Sequence, residues 1–71
     1  MKILYRDEGD GLSMFDTITN TINFYGRNND YRIYIDNYNA YICKGSQSEI
    51  QNIFNDIVAA EKRGDKVFEI K

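Results

Sequence analysis

The two ends of the chain carry short apolar stretches of the kind that form β-strands. Residues 1–6 are apolar and rich in β-favouring residues, and the Asp-Glu-Gly-Asp-Gly run over 7–11 has the chemistry of a turn. Near the other end, residues 67–70 form a second short apolar stretch. We interpret 1–6 and 67–70 as the first and last strands.

A clean alternation of isoleucine and polar residues occupies the middle of the chain. In residues 31–35, Ile33 and Ile35 alternate with other side chains, as in a strand with one buried face. The Asx-rich segment 36–39 then predicts a turn, and residues 40–44 predict the return strand. Two short strands around such a turn predict a β-hairpin.

The stretch between residues 12 and 25 fits two patterns. Leu12, Phe15, Ile18 and Ile22 lie at spacings of three, three and four, which fits one face of a helix. From residue 17 onward, however, apolar residues alternate with threonines, which favour strands over helix interiors. We favour a strand over residues 17–25 followed by a turn over 26–30, and the helix remains the alternative.

A helix is predicted from about residue 47 to residue 63. Ser46 and Glu49 have the spacing of a capping box, in which each side chain bonds the other residue's backbone N–H. An apolar stripe follows, formed by Ile50, Ile53, Phe54, Ile57 and Val58. Gly64 is a typical stop signal.

Together these elements predict one α+β domain over residues 1–71. The predicted order is β-β-β-β-α-β, a mostly antiparallel sheet with one amphipathic helix packed on one face. The predicted core is Ile3, Tyr5, Ile18, Ile22, Phe24, Ile33, Ile35, Ile42, Ile50, Ile53, Phe54, Ile57, Phe68 and Ile70.

The composition excludes several functions. The chain has 71 residues, no His and one Cys, so it has neither an imidazole base nor an intrachain disulfide nor a CxxC motif. We therefore expect no enzymatic activity, no bound metal and no cofactor. Nine basic residues against eleven acidic ones disfavour binding to bare nucleic acid. The chain has no apolar run near twenty residues and opens without a signal peptide, so we expect a cytoplasmic protein with no membrane contact.

The sheet face that the helix leaves uncovered is the main candidate for a binding surface. The alternation places Tyr25, Arg32, Tyr34 and Tyr41 there, and we call these four residues the tyrosine–arginine face. It also places Cys43 on that side, together with Thr17, Thr19 and Thr21. Tyr and Arg are enriched at interface hot spots. The alternative is a solvated face whose rings pack over threonine methyl groups.

A secondary candidate is the acidic corner formed by Asp7, Glu8 and Asp10. A calcium-binding loop needs ligands at alternating positions and a distal glutamate, and this run lacks that spacing. A solvated turn that adds negative charge beside a binding surface fits it better.

Most of the chain resembles a class of small proteins, through its topology and several short segments. The opening residues 1–4, the hairpin over 31–44, and the capping box leading into a helix that stops at Gly64 look like small phage and prophage proteins of low-GC Gram-positive bacteria. The resemblance implies a mobile-element accessory protein and carries no residue roles.

These observations predict a small protein-binding module without enzymatic activity. Its most concrete form is a phage or mobile-element inhibitor or modulator of a host protein, such as an anti-CRISPR-like protein, with a host or phage protein as partner. One alternative is single-stranded nucleic-acid binding, with bases stacked on the tyrosine–arginine face. Another is a homodimeric structural protein.

Overall fold

The computed structural model describes residues 1–7, 9–36 and 40–70, which form two three-stranded sheets and one helix. The α+β class is confirmed. The elements in chain order are β1 (Lys2–Arg6), β2 (Leu12–Asp16), β3 (Ile22–Arg27), β4 (Asp30–Ile35), β5 (Ala40–Gly45), α1 (Gln47–Arg63) and β6 (Val67–Glu69).

The strands divide into two sheets that share one core. The first sheet has the order β2-β1-β6, with β1 and β2 antiparallel and β1 and β6 parallel. The second sheet is the antiparallel meander β3-β4-β5. The described residues therefore form five strands before the helix, where the sequence pattern predicted four, and two sheets rather than one.

The helix follows the predicted bounds because its ends are chemically specified. Glu49 donates its backbone N–H to the Ser46 hydroxyl, and the Glu49 carboxylate accepts from the Ser46 N–H, so the capping box is complete. At the other end, Gly64 has a φ of 79°, in the left-handed region that favours glycine. The apolar stripe between these ends packs onto the second sheet.

The core lies between the helix and the inner faces of both sheets. Ile3 of the first sheet, Ile33 of the second and Ile50 of the helix are each 0% exposed. The rings of Phe24 and Phe54, 5.9 Å apart, join the second sheet to the helix. Every predicted core residue is buried or packed against the core except Ile18, which is 81% exposed.

The prediction of a strand over residues 17–25 is wrong in its first half. Residues 17–19 form a turn, and Asp16 holds that turn by accepting the Ile18 N–H at 2.9 Å and the Asn20 side-chain amide at 2.9 Å. Ile18 therefore points to solvent, and the three threonines expected beside the tyrosine–arginine face lie outside any strand. The missed strand is β2, immediately before the turn.

The hairpin of β3 and β4 is tighter than predicted. Asn28 and Asn29 both have positive φ, 55° and 65°, as a two-residue turn requires. The strands remain paired up to that turn, with Gly26 opposite Tyr31. A Cβ at position 26 would lie 2.4 Å from the Tyr31 Cα, so only glycine fits there.

Candidate functional site

The register of the second sheet sets the geometry of the tyrosine–arginine face. Tyr25 on β3 lies opposite Arg32 on β4, and Tyr34 on β4 lies opposite Tyr41 on β5. Arg32 and Tyr34 alternate with Ile33 and its neighbours, which face the core. The structure therefore places all four predicted residues on the outer face of one sheet.

Arg32 is the fixed centre of this face. Its Nε and one Nη donate to the two carboxylate oxygens of Asp30, both at 3.1 Å, in a two-pronged pair. On its other side, the guanidinium carbon lies 4.4 Å from the centre of the Tyr41 ring, within the range of a cation–π contact. Two independent contacts thus hold one long side chain in a single orientation.

The ion pair also affects the ionisation of both partners. The hydrogen bonds from Arg32 are the main reason that the pKa of Asp30 lies below its ordinary value. The hydrogen bonds to Asp30 likewise raise the pKa of Arg32. Both groups remain charged near neutral pH, and Asp30 compensates the positive charge of Arg32 on the outer surface.

The tyrosines differ in exposure across this face. Tyr25, on the strand at the sheet edge, is 54% exposed, whereas Tyr34 and Tyr41 are half-buried. Beside them, the Nδ2 of Asn23, which lies opposite Tyr34, is buried and has no hydrogen-bond partner among the described residues. The rings of Tyr34 and Tyr41 are therefore partly packed against the sheet and partly exposed to a binding partner.

Cys43 does not belong to this face, which corrects the prediction. The register slips between Ile33 and Tyr34, so Ile42 is an extra residue on β5 and Cys43 lies opposite Ile33. This bulge reverses the alternation, and Cys43 packs against the core. Burial raises the pKa of its thiol to about 11, which makes it a protonated and poorly nucleophilic group.

Two surface recesses flank the tyrosine–arginine face. The larger, of about 730 Å³, runs along β5 and includes Tyr41 on one wall and Tyr5 and Asp7 on the other. The smaller, of about 380 Å³, lies at the β3–β4 turn and includes Tyr25 and Tyr34. A partner that covers the face would meet a concave surface on each side.

The acidic corner is only partly available for contacts. The carboxylate of Asp7 accepts hydrogen bonds from the Ser13 hydroxyl at 2.6 Å and from the N–H groups of Gly9 and Gly11. These bonds, led by that from Ser13, lower the pKa of Asp7. Asp7 therefore closes the β1–β2 turn, whereas Asp10 is exposed and Glu8 lies outside the described residues.

The structure also reveals an apolar surface that the sequence pattern did not predict. On the outer face of the first sheet, Leu12, Met14 and Val67 are 61%, 54% and 53% exposed, and Leu4 lies opposite Met14. The signal for it was the alternation of Leu12, Met14 and Asp16 with Ser13 and Phe15. That signal was weak because apolar residues occupy both faces of β2.

The described residues include neither a cluster of metal-ligating side chains nor a helix that could span a membrane. Among residues 1–7, 9–36 and 40–70, no three His, Cys, Asp or Glu side chains lie close enough together to hold a metal ion. Within the same ranges, the one helix is too short and too polar to cross a bilayer.

Comparison with protein-family models, with curated protein sequences and with solved structures finds no match to this chain. The resemblance to small phage and prophage proteins therefore stays a prediction from the sequence.

Proposed function

We propose that this protein is a non-enzymatic protein-binding module whose contact surface is the tyrosine–arginine face. The observation that carries the proposal is the fixed position of Arg32 between the Asp30 carboxylate and the Tyr41 ring. A side chain that is ordered before binding loses less conformational entropy when a partner arrives. A rigid sheet that presents tyrosines around such an arginine has the chemistry of an interface hot spot.

The surroundings of the face support a protein partner rather than a nucleic acid. Asp30 pairs with Arg32, while Arg27 and Lys44 lie opposite these two residues on the same face. The chain as a whole has nine basic and eleven acidic residues, and this balance disfavours binding to phosphate groups. The recesses beside Tyr41 and Tyr25 provide concave surfaces for a partner's side chains. Single-stranded nucleic-acid binding by stacking on the same tyrosines is the competing proposal, and it predicts sensitivity to nuclease.

The most specific form of the proposal is an inhibitor or modulator of a host protein, encoded by a phage or another mobile element. The support for this form is the resemblance described above and the small size of the chain. Exposed acidic groups at the β1–β2 turn, such as Asp10, would add charge complementarity to a basic surface on the host protein.

Affinity capture from a lysate of a low-GC Gram-positive bacterium tests the proposal. The bait is the tagged chain, with and without nuclease, beside a Tyr34→Ala/Tyr41→Ala double variant. The matched control is Gln51→Ala/Asn55→Ala, which alters two exposed polar residues on the helix. Thermal unfolding of each bait verifies that it is folded.

The proposal predicts that the same protein is captured by the wild type and the helix control after nuclease treatment. Its recovery falls at least about tenfold with the double tyrosine variant, as expected when two hot-spot side chains are lost. Equal recovery with all three baits contradicts the assignment of the face. Material that disappears on nuclease treatment supports nucleic-acid binding instead.

A further inference from the structure

The outer strand of the first sheet, β2, has an unprotected edge. Its residues Leu12–Asp16 pair with β1 in unbroken register and include neither Lys nor Pro. Two large apolar side chains, Leu12 and Met14, are more than half exposed on it. Sheet edges are usually protected by charge, bulges or shortness. Of the other edges, β5 has a bulge and Lys44, β6 has three residues, and β3 carries Arg27 and exposes one large apolar side chain, Tyr25. The strand β2 carries one charge, Asp16, at its last position.

The backbone of β2 presents alternate hydrogen-bonding groups to that edge. The Asp7 N–H donates to the Gly11 carbonyl, and the Thr17 N–H donates to the Met1 carbonyl, both at 2.9 Å. Along a strand of an antiparallel pair, the backbone N–H and C=O groups of successive residues point alternately toward the paired strand and away from it. Ser13 and Phe15 therefore point their backbone groups toward β1, and Leu12, Met14 and Asp16 point theirs outward.

We propose that a second copy of this chain binds at the β2 edge, antiparallel to β2 and centred on Met14. This register places Met14 opposite Met14 of the second copy and Leu12 opposite Asp16. In this alignment all five residues of β2 are paired. Each residue whose backbone groups point to the edge lies opposite a residue of the second copy whose backbone groups also point to the edge. The Asp16 carbonyl already accepts from the Asn20 amide at 2.9 Å, and its second lone pair remains for the partner strand.

The side chains are compatible with this two-fold arrangement. Leu4 lies beside Met14 on the outer face, so pairing produces a continuous apolar row of two leucines and two methionines. No two like charges lie directly opposite each other within the five paired positions. On the inner face, the half-buried Phe15 comes to lie opposite Ser13 of the second copy. The surface therefore complements itself, as an isologous interface requires.

The predicted dimer is reversible. Pairing of two five-residue strands buries less than the ~1,600 Å² of a standard stable interface, so we expect half-dimerisation between about 10 µM and about 1 mM. Sedimentation equilibrium should show a mass that rises with concentration from 8.3 kDa toward twice that value.

A charge placed at the two-fold axis tests the interface. Met14→Lys brings two like charges directly opposite each other and should leave a monomer at every concentration. The matched control is Val67→Lys, because Val67 has the same exposure but lies on β6, away from the proposed contact. It should dimerise like the wild type, and so should the Tyr34→Ala/Tyr41→Ala variant, because this interface does not involve the proposed binding face.

Disulfide trapping tests the register. In a Cys43→Ser background, Met14→Cys should form a disulfide-linked dimer under mild oxidation, because antiparallel hydrogen-bonded partners lie about 5.5 Å apart. Leu12→Cys should not, because two copies of residue 12 would lie about 13 Å apart along the strands. A mixture of Leu12→Cys and Asp16→Cys chains should form the mixed dimer.

Three outcomes would overturn the inference. They are a wild-type monomer up to about 1 mM, a dimer that persists in Met14→Lys, and cross-linking of Leu12→Cys as fast as Met14→Cys. None of them bears on the tyrosine–arginine face, so failure here and failure of the proposed function remain distinguishable.

Discussion

The outer faces of the two sheets differ more than their inner faces do. On the inner side both sheets contribute fully buried isoleucines, Ile3 and Ile33, to one core. On the outer side, the second sheet presents an arginine held by a carboxylate and a tyrosine ring, whereas the first presents exposed leucine and methionine. The common inner faces explain the fold, and the different outer faces suit two different kinds of contact.

The largest effect is expected from substitutions that test whether the two sheets share one core. Ile3→Ala and Ile33→Ala should each lower the free energy of unfolding by about 2–5 kcal/mol, because each removes a fully buried side chain. Chemical denaturation followed by far-UV circular dichroism measures both. A chain of this size has little stability to lose, so we expect both variants to unfold at a much lower denaturant concentration than the wild type.

The control is Leu12→Ala, since Leu12 is 61% exposed on the same sheet as Ile3. It should change the free energy of unfolding by less than about 1 kcal/mol. A second, independent unfolding transition in Ile3→Ala would show that the first sheet folds apart from the second, and would break the comparison.

The next test concerns the two sides of β5, where Tyr41 faces outward and Cys43 faces the core. Because burial raises the Cys43 pKa to about 11, its alkylation by iodoacetamide at pH 8 should be on the order of 100-fold slower than that of a free thiol. The rate should increase as the pH approaches 11. Mass spectrometry follows the reaction, with glutathione as the reference thiol. A rate equal to that of glutathione would place Cys43 on the outer face.

A smaller effect on stability is expected at the helix N-terminus, which belongs to neither outer face. Ser46→Ala removes the hydroxyl that accepts the Glu49 N–H and should cost about 1 kcal/mol of stability. Neither partner capture nor dimerisation should change while the chain is folded. Gln47→Ala, at the exposed neighbouring position, serves as the control in thermal unfolding. If folded Ser46→Ala lost partner capture or dimerisation, the N-terminus of the helix would take part in that interaction.

The smallest effect is a pH dependence at the β1–β2 turn. The hydrogen bond from Ser13, followed by that from Gly11, lowers the Asp7 pKa from its ordinary value of 3.8. A carboxyl group whose pKa is lowered by folding stabilises the protein above the unfolded-state pKa, and this contribution is lost as the pH falls through the folded-state pKa.

Wild type and Asp7→Asn should therefore differ most in free energy of unfolding above pH 3.8, and the difference should shrink at lower pH. Comparing the two proteins isolates Asp7 from Asp30 and Glu49, whose pKa values are also lowered. Parallel curves from pH 6 down to about pH 2 would rule out this role of Asp7.

The features that sequence reasoning predicted well are those with local chemical signals. The helix was predictable because Ser46, Glu49 and Gly64 specify its ends and the apolar stripe specifies its buried side. The antiparallel pairing of β4 with β5 was predictable because Ile33 and Ile35 alternate with other side chains. Residues 37–39 of the predicted turn lie outside the described residues. Such signals depend on neighbours in the sequence and need no knowledge of the tertiary structure.

The errors arose where tertiary contacts, and not local sequence, determine the bounds of a strand or the face on which a residue lies. The strand β2 has apolar residues on both faces, Met14 outward and Phe15 inward, so its alternation was not a contrast of apolar and polar. The turn after it depends on bonds to Asp16 that a pattern cannot reveal. Cys43 was placed on the wrong face because the extra residue Ile42 shifts the register. The tyrosine–arginine face itself was predictable, but the contact of Asp30 with Arg32 was not.

Site-specific photo-crosslinking in a lysate of a low-GC Gram-positive bacterium tests the central claim most directly. A photoreactive benzoyl-phenylalanine replaces Tyr25 on the tyrosine–arginine face, or Val58 on the helix, or Val67 on the outer face of the first sheet, all of them exposed positions. We predict a nuclease-resistant cross-link to one host protein from position 25 and none from positions 58 and 67. A cross-link to the same protein from position 58 or 67, with none from position 25, would contradict the assignment of the second sheet's outer face as the binding surface.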